Sequence, residues 1–424
     1  MNINSRNIYI IYLFLYFTLL VGFYFNEDFA LGFITDYLFH KNIVLPYFEE
    51  NFIKSFLNYN TLGDGSGLSA HSPIYIIFFL FLKKISFNEN FSRLIVLHLS
   101  LLIPYFFYMC IKLKYEFRIN DIKIFLPVII FFSPYFRSAS MWLGSENISL
   151  IFLSICFYFF LKYEKSKKKE LSYIILNTLF LALAAYIRPI YSLFGIYFFV
   201  RFYLDLNFSY KLLFYIFVNL LLSFPAIYYV FVLGVNFISI HIFDQTKLSD
   251  FINLFSITIT ILFFYSIPFL LLNIKKNFQI SNFKIENLFL SIIFLCLLIF
   301  FFDYNISYGG GIFYKFSLIV FGNNYLFYFF FLISLNVFIS IFFDFTKNKD
   351  GILDLILLFI LIFLEIDGIF YHETYDPLLY FIYFLLIKNK IYLNFAKKFT
   401  IKKLMLLGSF SISFYVLSIL KTTI

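Results

Sequence analysis

Charge is scarce in this sequence: Asp, Glu, Lys and Arg make up 13% of its 424 residues, against 62% hydrophobic. A soluble domain carries roughly 25% charged residues, and a mean hydropathy of +0.88 excludes one here. Cysteine is nearly absent, with three residues. Cys110, Cys156 and Cys296 each lie inside apolar runs with no pair at metal or redox spacing, so they read as small core hydrophobes and imply no disulfide framework. Tryptophan occurs once, as Trp142, among 70 Phe and 35 Tyr. Alternation of period two is also missing, which excludes a membrane β-barrel.

What is present is a series of apolar runs of about 17 to 25 residues along the whole length. Backbone in lipid must satisfy its own hydrogen bonds, so these runs are expected to be helices. The expected fold is an all-α polytopic membrane protein with about thirteen transmembrane helices of roughly 20 residues each. A single membrane-embedded domain over 1–424 is expected, with little chain left for a soluble one. The expected spans are 8–25, 94–111, 124–136, 148–162, 171–187, 189–204, 212–233, 252–274, 286–302, 324–343, 352–370, 377–387 and 403–420.

The first run follows Arg6 and lacks a small-residue cleavage site, so it is expected to be an uncleaved anchor with a cytoplasmic N-terminus. A long first outer loop, 26–92, then carries Glu27, Asp28, Asp36, Glu49, Glu50, Asp64 and Glu89. Within it the apolar stretch 73–82 is too short to cross and is expected to be re-entrant or interfacial. That assignment brings most Lys and Arg to the cytoplasmic side and most Asp and Glu to the other, as the bias of basic residues in short loops requires. The net charge of +9 lies in juxtamembrane loops such as Lys165, Lys167, Lys168 and Lys169. Orientation and contact with anionic lipid account for it better than nucleic acid does. A multi-pass protein of a bacterial inner or plasma membrane is expected.

Candidate chemistry gathers in the outer loops. Glu27 and Asp28 follow the first span at the water–lipid boundary, where a partly desolvated carboxylate suits a general base; the same residues also serve simply to stop the helix. Ser133-Pro134 leads to Arg137, Trp142 and Ser145-Glu146-Asn147. Glu146 complements a helix N-terminus that Ser145 would cap, or faces Asp28 across a cavity. Trp142 is either an interfacial anchor or a sugar-stacking platform. Arg188, Lys83, Lys84 and Lys315 are cations on the face that should lack them, and either hold an anionic ligand or snorkel to headgroups. Gly309-Gly310-Gly311 permits positive φ and close backbone approach, but no P-loop lysine follows. His71, His372, Glu373 and Asp376 offer ligands for a divalent ion, yet no pair has diagnostic spacing, and no metal or other cofactor is assigned.

Taken in order, these features resemble the polytopic GT-C glycosyltransferases, the class that includes protein O-mannosyltransferases and the aminoarabinose transferases of lipid A. The resemblance rests on the acidic pair after the first span, His71-Ser72-Pro73 before a short apolar segment, Ser145-Glu146-Asn147 and the late Tyr375-Asp376-Pro377 turn. It covers about residues 8 to 380. The family usually shows Asp-Glu where this chain has Glu27-Asp28, and Asp where it has Glu146, so the base is either Glu27 or Asp28. The resemblance implies inverting transfer of a sugar from a polyprenyl-phosphate donor to a glycan, lipid or protein acceptor on the non-cytoplasmic face. Asp28 or Glu27 would take the acceptor proton, and Arg188, with Lys315 or Lys83, would stabilise the departing phosphate. Glu146, His71, His372 and Asp376 would orient the sugar. Membrane lipids are expected partners and nucleic acid is not. The rival readings are a lipid-linked glycan flippase or solute transporter, which would place ionisable groups near mid-membrane, and an O-antigen polymerase or ligase.

Overall fold

The computed structural model describes residues 5–57, 72–86, 88–118, 121–227, 248–271, 285–304, 309–345, 349–364 and 370–423. Among these every regular element is a helix. Six helices are long and apolar enough to cross a membrane, and up to eight if each of two bent pairs counts as one crossing. The chain divides into two compact units, residues 1–237 with 407–424, and residues 238–406.

The first unit begins with α1 (Ser5–Tyr24), whose Tyr9, Leu13, Phe14 and Phe17 point outward as a bare apolar surface. Such a surface suits a helix facing lipid. Short helices follow: α2 (Phe33–Phe39), α3 (Leu45–Glu50), α4 (Phe52–Leu57) and α5 (Pro73–Ile85). At 13 residues, α5 spans only about 20 Å, short of a hydrocarbon core of about 30 Å. Next come α6 (Glu89–Ser100) and α7 (Leu102–Tyr115), which form one apolar rod, then α8 (Pro134–Met141), α9 (Ser145–Lys165), α10 (Leu171–Ile187), α11 (Phe194–Leu206) and α12 (Tyr210–Ile227). The centre of this unit is α9, with α7 and α10 packed along it. Asn177 of α10 donates its Nδ2 to the Cys156 carbonyl at 3.0 Å inside that contact.

The expected crossing at 124–136 takes another form. Residues Ile122–Phe132 wind as a 3-10 run containing Pro127, and the axis bends by 64° before α8. The cause is Ser133-Pro134: proline disfavours a helical residue before it, and the Ser133 hydroxyl accepts the Phe136 amide at 2.9 Å, starting a new helix there. The expected crossing at 377–387 is likewise short and broken.

Side-chain pairing fixes which helix ends lie together. Glu116 after α7 pairs with Lys165 at the end of α9, Arg201 of α11 lies 3.3 Å from Glu164, and Lys211 of α12 donates to the Lys168 carbonyl. At the opposite end, Arg188 after α10 lies 3.2 Å from Glu146 at the start of α9. Arg93 in α6 donates to the Asn26 side chain just beyond α1 at 3.0 Å. The segment between Asn26 and Arg93 therefore starts and finishes at one end of the unit.

The second unit contains α13 (Leu248–Leu271), α14 (Ile285–Phe301), α15 (Gly311–Phe321), α16 (Tyr325–Phe345), α17 (Lys349–Ile362), α18 (Leu378–Phe381) and α19 (Lys390–Lys397); α20 (Ile401–Thr423) returns the chain to the first unit's residues. Its most buried long helix is α13. There Ser266, Tyr383 and Tyr392 join hydroxyls, with Ser266 2.9 Å from Tyr392 and Tyr383 donating to the Leu262 carbonyl at 2.8 Å. The stretch before α16, expected as loop, holds the helix α15. The three glycines that lead into and open it adopt φ near +80°: Gly309 82°, Gly310 81° and Gly311 78°. A Cβ on Gly310 would come within 2.4 Å of the Tyr314 ring, so this glycine is required by the protein's own packing.

Candidate functional site

The first helix stops where its sequence says it should, and the stop places two adjacent carboxylates in different surroundings. Asn26 takes a left-handed φ of 53°, and the Glu27 amide donates back to Gly22 while Asn26 donates to Phe23. This is a Schellman closure with Asn at the αL position. It turns Glu27 inward. Its carboxylate receives a bidentate fork from Arg137, Nε to Oε1 and Nη2 to Oε2, both at 2.6 Å. Glu27 is 5% and Arg137 4% exposed, so this is a fully desolvated pair. The remaining guanidinium donors go to the hydroxyl and carbonyl of Thr18, and the Tyr415 hydroxyl lies 3.3 Å from Glu27. A Cβ at Gly22 would sit 2.2 Å from Glu27 Oε2, which explains glycine in this turn of α1.

Trp142 belongs to the same core. Its indole N–H donates to the Glu27 carbonyl at 2.9 Å, the Arg93 guanidinium lies 3.7 Å from the centre of a ring face, and Tyr37 packs 5.7 Å away. The ring is buried, so it is neither an anchor at the interface nor an open stacking platform.

Asp28 is half-buried, and among the described residues it has no cation of its own. One carboxylate oxygen accepts the Ile34 amide of α2 at 3.1 Å; the second, Oδ1, has no hydrogen-bond partner among the described residues. Burial holds its carboxyl above the usual carboxylate range, opposed by the Ile34 amide and the Ser138 hydroxyl. Beside it stands Asp36, in the first turn of α2. Water reaches Asp36, but its neighbours crowd it. Loss of hydration, with the charges of Glu146 and Asp28, pushes it up to about 6. Glu146 is buried in the first turn of α9 and is held by Arg188. Ser145 does not cap α9, as the sequence suggests it would: the cap position is Gly144, and the Ser145 hydroxyl donates to Glu146 instead. Asn147 ties α9 to α8, donating to the Phe136 carbonyl and the Ser140 hydroxyl, both at 2.8 Å.

The structure thus brings Asp28, Glu146 and Arg188 together at one end of the first unit, and adds Asp36. Glu27, Arg137 and Trp142 lie beneath them as a closed scaffold. Asp36 was legible only as one of many acids in the first loop. Arg93, which supports Trp142 and Asn26, is a cation beside the acidic turns and would have been flagged by the rule that singles out Arg188. Lys83 forms an ion pair with Glu49 at 2.6 Å.

The other expected residues lie in the second unit. His372 is buried and its Nε2 accepts the Ile312 amide at 2.9 Å, so it anchors the start of α15. Asp376 is buried in the same turn, its amide bonded to the His372 carbonyl. Lys315 lies on α15, half-buried. His71 falls outside the described residues. Among the described residues no group of His, Cys, Asp and Glu is arranged to hold a metal ion.

No family model, curated protein or solved structure matches this chain.

Proposed function

We propose that the chain is an integral membrane glycosyltransferase of the GT-C kind. It moves a sugar from a polyprenyl-phosphate donor to a glycan, lipid or protein acceptor at the non-cytoplasmic face, with its N-terminus inside and about thirteen crossings. One observation carries the reading: of two adjacent carboxylates, Glu27 is consumed by Arg137, whereas Asp28 keeps an unpaired oxygen beside Asp36, Glu146 and Arg188. Asp28 is then the base. It takes the proton of the acceptor hydroxyl as that oxygen bonds to the anomeric carbon, and the bond from this carbon to the phosphate oxygen breaks on the opposite side, inverting the centre. The phosphate departs with the electron pair and is stabilised by Arg188, whose position Glu146 fixes. A raised carboxyl suits the task, because a base gains strength as its pKa approaches the working pH.

The test is complementation of a deletion strain, comparing envelope glycolipids and glycoproteins by mass spectrometry. Loss of one sugar on deletion, restored by the wild type but not by Asp28→Asn at equal abundance, supports the assignment. Restoration by Asp28→Asn ends it. Accumulation of a complete lipid-linked glycan on the cytoplasmic side would instead favour the flippase.

A further inference from the structure

The end of the second unit carries a helix built to lie on a surface. After Leu386 the chain turns by 87° into α19. Two contacts hold that turn: the Lys388 amide donates to Asp354 at 2.8 Å, and the Asn389 side chain caps α19 by accepting the Ile391 amide at 2.8 Å; at the far end of α19 Lys403 donates to the Asn394 and Phe395 carbonyls. Tyr392, Phe395 and Ala396 point inward, with Phe395 4.6 Å from Phe269 and Tyr392 stacked 4.8 Å from Tyr383. The opposite face presents Lys390, Asn394, Lys397 and Lys398, which recur at the helical spacing, and Lys402 follows. All five are exposed, and among the described residues none of these lysines has an acidic partner. No Asp or Glu occurs from Pro377 to the end of the sequence. Lys41, Lys83 and Lys165, by contrast, are each matched by a glutamate.

We propose that α19 and the turn after it form a docking surface for anionic phospholipid headgroups, with Lys390, Lys397, Lys398 and Lys402 as the contacts. The occupant follows from charge and from geometry. The aromatic face of α19 is taken up by the protein's own core, so the helix is held rigidly with its unmatched cations outward, and clustered lysines beside a membrane protein's helices attract anionic headgroups. The inference stands apart from glycosyl transfer, since it needs neither Asp28 nor a sugar donor.

The experiment uses the full chain in nanodiscs with a fluorophore on Asn394→Cys, after Cys296→Ser removes the exposed thiol. Headgroup-nitroxide phosphatidylglycerol is compared with headgroup-nitroxide phosphatidylcholine as the quencher. The expected result is quenching by the anionic lipid greater by about threefold or more, falling to parity in the Lys390→Gln, Lys397→Gln, Lys398→Gln, Lys402→Gln variant. Equal quenching by both lipids in the wild type overturns the proposal. So does a preference that survives all four substitutions, or one abolished equally by Lys165→Gln, Lys167→Gln and Lys168→Gln. Comparable elution of all variants on size exclusion secures the comparison.

Discussion

The two ends of the first unit treat charge in opposite ways. At one end, Arg201 lies between Glu164 and Asp205, Lys169 reaches Asp205 at 3.3 Å, and Lys165 meets Glu116. Opposite charges there answer one another, and the result is a bolt that holds α9, α11 and the loop between α9 and α10. At the other end, Arg137 is spent on Glu27, and Arg93 is engaged by Met141, Asn26 and the face of Trp142. Asp28, Asp36 and Glu146 then remain, with Arg188 as the cation beside them. Pairing at the first end joins separate elements, whereas the second end gathers more carboxylate than its one cation matches, and that surplus is what the proposed transfer would use.

The largest expected effect lies in the scaffold beneath the acids. Glu27→Gln leaves Arg137 buried without its counter-charge and should cost about 3–5 kcal/mol, read as a lowered thermal midpoint in detergent. Arg201→Gln, in a partly hydrated network, should cost less. Equal losses would erase the contrast between the two ends. Asp28→Asn should leave the midpoint within about 1 kcal/mol of wild type while slowing transfer about 10²- to 10⁴-fold. A variant that loses both stability and activity would return Asp28 to the scaffold.

Gly22→Ala probes the same border from below. The added methyl must displace Glu27 or Met141, so a loss of about 1–3 kcal/mol is expected, and Gly408→Ala in α20, where nothing lies within 4 Å of the new Cβ, should be neutral or mildly stabilising. The smallest effect is electrostatic. The Asp36 carboxyl is raised from 3.8 to about 6 in the folded chain, so ionising it opposes folding. The penalty is absent below about pH 4, grows as pH rises, and is complete above about pH 6. Asp36→Asn should therefore raise the thermal midpoint at pH 7.5 and leave it unchanged at pH 4. A gain that is the same at both pH values would show that lost hydration and the neighbouring Glu146 and Asp28 do not raise the Asp36 carboxyl.

Run length and composition were enough to expect an all-helical chain of repeated apolar segments, because a helix long enough for lipid leaves an unbroken apolar record. Breaks were less visible. Ser133-Pro134 signals the bend before α8, but the 3-10 winding over 122–132 depends on packing that no local pattern shows. With 11 residues, α15 is shorter than a crossing and vanished into an expected loop. At the site, Glu27 and Asp28 are chemically alike and adjacent; only Arg137, 110 residues away, decides between them. Trp142 left two roles open in the sequence, and the structure gives it a third, because Arg93 of α6 and the Glu27 carbonyl of the turn after α1 converge on it.

Sidedness is the claim on which the comparison stands, and single-cysteine labelling of intact cells tests it directly. In a chain carrying Cys296→Ser, Asp36→Cys should react with an impermeant maleimide from outside, and Lys167→Cys only after permeabilisation. Labelling of both positions from the same side would contradict the account, because the acidic end and the bolted end would then share one face of the membrane.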